Sequence, residues 1–259
     1  GTVLNTRPQS LEASRSPIQI GAELYGHSGV DADIEVLRLM LDMLEAAGVR
    51  DLHLDLGHVA IFRELAVAAG LDRATESRLF DIYQRKSLPE LQDLLPQLPH
   101  SSWFEALGRL SGEPDLLTTA AELLVNAPVP VRNALDDLQA VVMALQASHP
   151  GIRLSLDLSE LRGYHYHTGL VFAAYVSDSA TEIAKGGRYD HIGEAFGRAR
   201  PATGFSADLK TLLTHAAVPE MPRRILAPAG GSAALQDAIR QLRGSGHIVI
   251  QALPGDGAT

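Results

Sequence analysis

Apolar residues recur at helical spacing in "DADIEVLRLMLDMLEAAG" (31 to 48), where Ile34, Leu37, Leu41 and Leu44 share one face. Gly48 supplies a C-terminal stop, so the stretch predicts a helix. The period then drops to two in "DLHLDLG" (51 to 57), where Leu52, Leu54 and Leu56 alternate with His53 and Asp55, the signature of a half-buried strand. From His58 to about Ser148 the pattern is helical throughout, broken at Gly70, Pro99, Gly112 and Pro128, and "SLPE" (87 to 90) reads as a capping box. Strand character returns in "IRLSLDL" (152 to 158) and "TGLVFAAYV" (168 to 176), and paired glycines follow in "TEIAKGGRYD". A further helix is expected from near Ser206 through "ADLKTLLTHA". After "AVPEMPR", the runs "RILAP", "SAALQDAIRQLRGSG" and "HIVIQAL" read strand, helix, strand, the opening of a βαβ unit.

These periods predict an α+β fold: an antiparallel sheet core over 1–57 and 150–216, a helical insertion over 58–149, and the start of a small α/β unit over 217–259. Gly1 starts abruptly and "PGDGAT" stops directly after a strand, which reads as a fragment.

Composition narrows the function classes. With 259 residues and 46% apolar content the chain can bury a substantial core. No apolar run approaches the roughly 20 residues needed to cross a bilayer. The net charge of −9, from 22 basic and 31 acidic side chains, gives no general support for nucleic-acid binding, and "GRARP" (197 to 201) is too short to act as a basic patch. The absence of cysteine removes thiolate nucleophiles and Cys-ligated zinc and suits a reducing cytoplasm. Ten histidines remain as metal-ligand candidates, and none shows a three-ligand spacing, so neither a metal nor a cofactor is expected.

The densest chemistry lies in "LRGYHYHTGLVF" (161 to 172). As a strand, "YHYH" would send His165 and His167 to one face and Tyr164 and Tyr166 to the other. Gln19 and Glu23 are an even number of residues apart, so a strand would bring both to one face, where they could converge on one cation. Each has a plainer reading: Gln19 and Glu23 as ordinary edge residues, Arg162 paired with Glu160 or Asp157, Gly186 and Gly187 as a tight turn, and Trp103 as core. Asp55 with His53 and His58 falls on the solvent-looking side of its strand.

Three motifs in order, "ELRGYHYHTGLVFAAY", "GGRYD" (186 to 190) and "PATGFSADL" (201 to 209), resemble the catalytic core of the class II histidyl-tRNA synthetases, and "SPIQIGAELYG" (16 to 26) resembles the strand after that family's second class motif. The resemblance covers most of residues 1–215 and implies a class II synthetase-like fold that self-associates. It also implies that Gln19 and Glu23 receive an amino acid's α-ammonium group and that Arg162 approaches the carboxylate or the α-phosphate side. Tyr166 matches the first tyrosine near the imidazole, and His167 stands where the second is expected, with Gly186 and Gly187 bordering the pocket.

The phosphate half departs from the pattern. Lys210 and Thr211 occupy the glutamate and arginine positions of the third motif. In "LNTRPQ" (4 to 9), Leu4 and Thr6 replace the second motif's arginine and glutamate. A lysine does not reproduce an arginine's bidentate fork. An amino-acid pocket without phosphate chemistry resembles the regulatory-subunit family of ATP phosphoribosyltransferases, in which "QIGAELYGH", "RGYHYHTGLVF" and "RPATGFSADL" are typical. That resemblance implies no catalytic residue, a short-form catalytic subunit as partner, and L-histidine as candidate ligand. An active synthetase and a ligand-free scaffold remain open at this point.

Overall fold

The computed structural model describes residues 1–4, 6, 15–177, 179, 181–216 and 224–255; most of "LNTRPQ" and all of "AVPEMPR" fall outside these. The chain divides into two compact units, Gly1–Ala216 and Ala217–Thr259.

The first unit is built on a seven-stranded sheet of order β1-β7-β6-β5-β2-β4-β3. Its strands are β1 (Gln19–Tyr25), β2 (Leu52–His58), β3 (Ser111–Gly112), β4 (Arg153–Asp157), β5 (Leu170–Val176), β6 (Ala184–Arg188) and β7 (Ala202–Asp208). All neighbours are antiparallel except β2 and β4. Helix α1 (Val30–Ala46) buries Val36, Leu37, Met40, Leu41 and Leu44 along one stripe, as its 3.6-residue period dictates, and packs on β1, β6 and β7. The helical block follows β2: α2 (Val59–Ala68), α3 (Arg73–Gln84), α4 (Leu88–Leu94), α5 (Ser101–Arg109), α6 (Leu116–Leu123) and α7 (Val129–Ser148), with α7 lying against α1 and α2. Trp103 is buried core, stacked on His100 at 4.1 Å. Helix α8 (Leu209–His215) closes the unit. No helix among the described residues is long and apolar enough to cross a membrane.

In the second unit, β8 (Arg224–Ala227) and β9 (Ile248–Gln251) pair in parallel, and α9 (Ala233–Gly244) connects them. This is the expected βαβ opening. Ala227, Ile239 and Val249 form its small core.

Several local expectations are corrected. Residues 161–169 form turns rather than strand: Gly163 adopts φ +61°, and its carbonyl accepts the N–H groups of Tyr166 and His167, both at 2.7 Å. The expected helix at Ser206 starts at Leu209, because "ATGFSAD" pairs with β1 and β6 on both sides. Four successive residues of that strand, 202–205, are buried, so it lacks the alternation that marks a half-exposed one. Gly186 and Gly187 lie inside β6, not in a turn. The helical block contains a short pairing of Ser111–Gly112 with β4. The Ser87 hydroxyl donates to Glu90 at 2.9 Å, and its side chain makes no cap bond, so "SLPE" is not a capping box.

His58 is buried, not solvent-facing. Burial first, then the guanidiniums of Arg188 and Arg63, holds its imidazole down to about 4. Asp137 on α7 faces it at 3.9 Å. The unfolded histidine takes up a proton near pH 6.5 and the folded one does not, so this contribution is intact above that pH and is lost as pH falls toward 4. From His58 alone, urea unfolding is expected to show about 2 kcal/mol less stability at pH 5 than at pH 7.5. His58→Leu should flatten that difference; parallel losses in both proteins would assign the acid sensitivity elsewhere.

Candidate functional site

Along β1 burial alternates, so Ile20, Ala22 and Leu24 pack on the core while Gln19, Gly21, Glu23 and Tyr25 face outward. Their outward face is one wall of a cleft of about 1300 Å³. The turn before β5 supplies Arg162, Gly163, Tyr166 and His167, and the β6 segment supplies Glu182, Lys185, Gly186 and Tyr189. Of the seven residues singled out in the sequence, Gln19, Glu23, Arg162, Tyr166, His167 and Gly186 line this cleft together. Gly187 does not line it, but a Cβ there would meet the His167 ring at 2.9 Å. At Gly186 a Cβ would meet the Gly204 carbonyl oxygen at 2.1 Å, so only glycine lets β6 and β7 approach this closely.

Because 161–169 turns instead of extending, Tyr166 and His167 reach the same cleft, which an alternating strand would forbid. Tyr166 packs against Tyr189 with ring centroids 5.1 Å apart and against His167 at 5.1 Å. The Nδ1 of His167 lies 3.2 Å from the Arg188 carbonyl oxygen, which only accepts, so Nδ1 carries the proton and Nε2 is the lone pair. Burial depresses the His167 imidazole, keeping it neutral, and lifts the Tyr166 and Tyr189 phenols.

Opposite charges are spread across the cleft. Glu23 accepts from the Tyr25 hydroxyl. The Arg162 side chain sits 3.8 Å from Glu160, and its Nη2 donates to the Tyr175 hydroxyl at 2.9 Å. Its Nη1 is buried and has no acceptor among the described residues. Lys185 pairs with Glu182 at 2.8 Å. A carboxylate, Glu23, and a guanidinium, Arg162, among the lining residues supply the two charges that a zwitterion needs.

A second cavity, of about 660 Å³, borders Lys185, Lys210, Thr211 and His215 and contains no arginine among its described lining residues. Lys210 Nζ donates to the Ser16 carbonyl at 2.9 Å. Leu4 is 77% exposed. A group able to ligate a metal, Asp42, Glu45 and His149, joins α1 to the end of α7 outside both cavities; Asp42 and His149 already pair at 3.2 Å.

Tyr25, Glu182, Lys185 and Tyr189 were not anticipated. Tyr25 was legible, since it stands two residues after Glu23 on the same strand face; Tyr189 lies within the quoted "GGRYD".

The sheet, the cleft on its open side and the helical block define a class II aminoacyl-tRNA synthetase-like protein. A family model described as histidyl-tRNA synthetase matches residues 1–212, and one described as the ATP phosphoribosyltransferase subunit HisZ C-terminal domain matches residues 222–259. The ATP phosphoribosyltransferase regulatory subunit of Thioalkalivibrio sulfidiphilus is 52% identical, over 99% of this chain and 67% of that protein. The chain belongs to the ATP phosphoribosyltransferase regulatory subunit family. It spans about two thirds of the length of the curated relatives it matches.

Two solved structures share the fold. The ATP phosphoribosyltransferase regulatory subunit/histidyl-tRNA synthetase of Bacillus halodurans is similar at a TM-score of 0.79 and 23% identity, covering 95% of this chain and 65% of that one. The ATP phosphoribosyl transferase (HisG:HisZ) complex of Thermotoga maritima matches at 0.62 and 20% identity, covering 75% and 66%.

Proposed function

We propose that the chain acts as a non-catalytic regulatory subunit of an ATP phosphoribosyltransferase, the first step of histidine biosynthesis, in the cytoplasm. It pairs there with a short-form catalytic subunit, self-associates through its synthetase-like core, and binds L-histidine in the cleft. One observation carries the ligand reading: Arg162, whose buried Nη1 has no partner among the described residues, lines a cleft that also holds Gln19 and Glu23. The carboxylate of an amino acid satisfies the guanidinium, and its ammonium group meets Gln19 and Glu23. Tyr166, with neutral His167 and Gly187 behind it, is left for the side chain. The cavity beside Lys210 and Thr211 offers no oriented guanidinium for a triphosphate among its described residues, which supports regulation over adenylation.

Regulation requires that histidine bind the active and inhibited arrangements with different affinity, since a ligand with equal affinity shifts nothing. The test is phosphoribosyl transfer by the reconstituted complex across a histidine titration. Transfer should depend on this subunit, and Glu23→Gln should raise the half-inhibitory histidine concentration by about tenfold or more, the loss of one charge-assisted contact. Superimposed curves from wild type and variant would falsify the proposed site.

A further inference from the structure

We propose that Arg63, a residue of the helical block that does not line the cleft, is a positioning residue that sets the shape of the cleft by clamping the backbone of the Tyr164–Thr168 turn; the affinity consequence rests on the amino-acid reading above. Arg63 lies on α2, one turn after His58 ends β2. Its Nη2 donates to the carbonyls of Tyr164 and His167, both at 2.9 Å, and its Nη1 to that of Thr168 at 3.4 Å. Its guanidinium carbon also sits 4.9 Å from the centroid of the Tyr164 ring.

The turn needs this donor. Its own N–H groups are spent elsewhere: those of Tyr166 and His167 on the Gly163 carbonyl, that of Tyr164 on Leu161, and that of Thr168 on Arg188. Carbonyls pointing at a packed helix must find a donor there, and a planar guanidinium serves three at once where an ammonium cannot match the geometry. Tyr164 strengthens the grip, buried against Phe62 at 5.4 Å and Phe80 at 5.6 Å, with its hydroxyl donating to Glu76 on α3 at 2.6 Å. The opposite side of the same turn carries Tyr166 and His167 into the cleft. The His167 ring rests where a Cβ on Gly163 would be, 2.5 Å from that position, so turn backbone and ring move together. Strain or partner contact in the helical block therefore reaches the ligand site through the Arg63 clamp and the Tyr164 contacts beside it.

The experiment compares wild type, Arg63→Met and Arg63→Lys by calorimetric L-histidine titration and by the ¹⁵N imidazole signals of His167, under conditions where circular dichroism shows each protein folded. Arg63→Met should weaken histidine binding about tenfold and replace the Nδ1–H signature of His167 with an averaged one, with Arg63→Lys intermediate. A residue that merely adds stability would leave both readouts of the folded protein unchanged, and that result overturns the proposal. If Arg63→Met does not fold, Arg63→Lys decides on the same two readouts. If wild type itself binds no histidine, the ligand reading fails, and the His167 signals still decide whether Arg63 sets the turn.

Discussion

Supplied with ATP, Mg²⁺ and L-histidine, the protein should exchange pyrophosphate at least about 10⁴-fold more slowly than a histidyl-tRNA synthetase, because each oriented donor removed from a developing charge costs about 10²- to 10³-fold and two are replaced here. Adenylate formation drives negative charge onto the α-phosphate and the leaving pyrophosphate, and neither Leu4 nor Thr211 can answer it. The cations nearby are engaged: Lys210 is bound to the Ser16 carbonyl and Lys185 to Glu182. Arg162 is the one guanidinium among the described residues lining the main cleft, and a single arginine cannot hold both an amino-acid carboxylate and a triphosphate. Binding of histidine without exchange is thus the expected pair of results. Exchange at a synthetase-like rate would show that the phosphate site has been rebuilt from other residues.

The fold was legible where one face of an element is buried and the other wet. The α1 stripe of Leu37, Leu41 and Leu44 and the outward face of β1 that presents Gln19 and Glu23 both follow from a simple period. It was not legible where both faces are covered. Strand β7 buries Ala202, Thr203, Gly204 and Phe205 in succession, so it shows no alternation, and its small residues pass for a helix start. The same limit governs the site. "GYHYH" has a strand's composition, yet one positive-φ glycine and a guanidinium 101 residues before Tyr164 hold it in a turn. No local pattern announces Arg63, since its partners are backbone carbonyls that any sequence would supply. His58 was misplaced for a related reason: it closes a half-exposed strand but sits beneath α7, where Asp137 meets it.

Arg188→Met is expected to cost about 3 to 5 kcal/mol of unfolding free energy, because it strands a buried carboxylate. Arg188 and Asp33 are 7% and 5% exposed and meet at 2.9 Å. The arginine has other acceptors, donating to the carbonyls of His27 at 3.1 Å and Gly29 at 2.9 Å and to Asp190 at 3.2 Å. The carboxylate is poorer in partners, with its Oδ1 buried and unpartnered. Removing Asp33 instead, as Asp33→Leu, should therefore cost clearly less than removing Arg188, and the double variant should recover much of the Arg188→Met loss. Burial already lifts the Asp33 carboxyl above its ordinary range, against the pull of Arg188. Without the guanidinium it rises further, and a carboxyl that binds its proton more tightly when folded gains stability as pH falls, so the Arg188→Met deficit should narrow between pH 7.5 and pH 5. Urea unfolding of the four proteins at both pH values measures all four statements. No recovery in the double variant, together with a deficit that does not change with pH, would mean that the loop before α1 is held by the carbonyl contacts of Arg188 and that Asp33 contributes only shape.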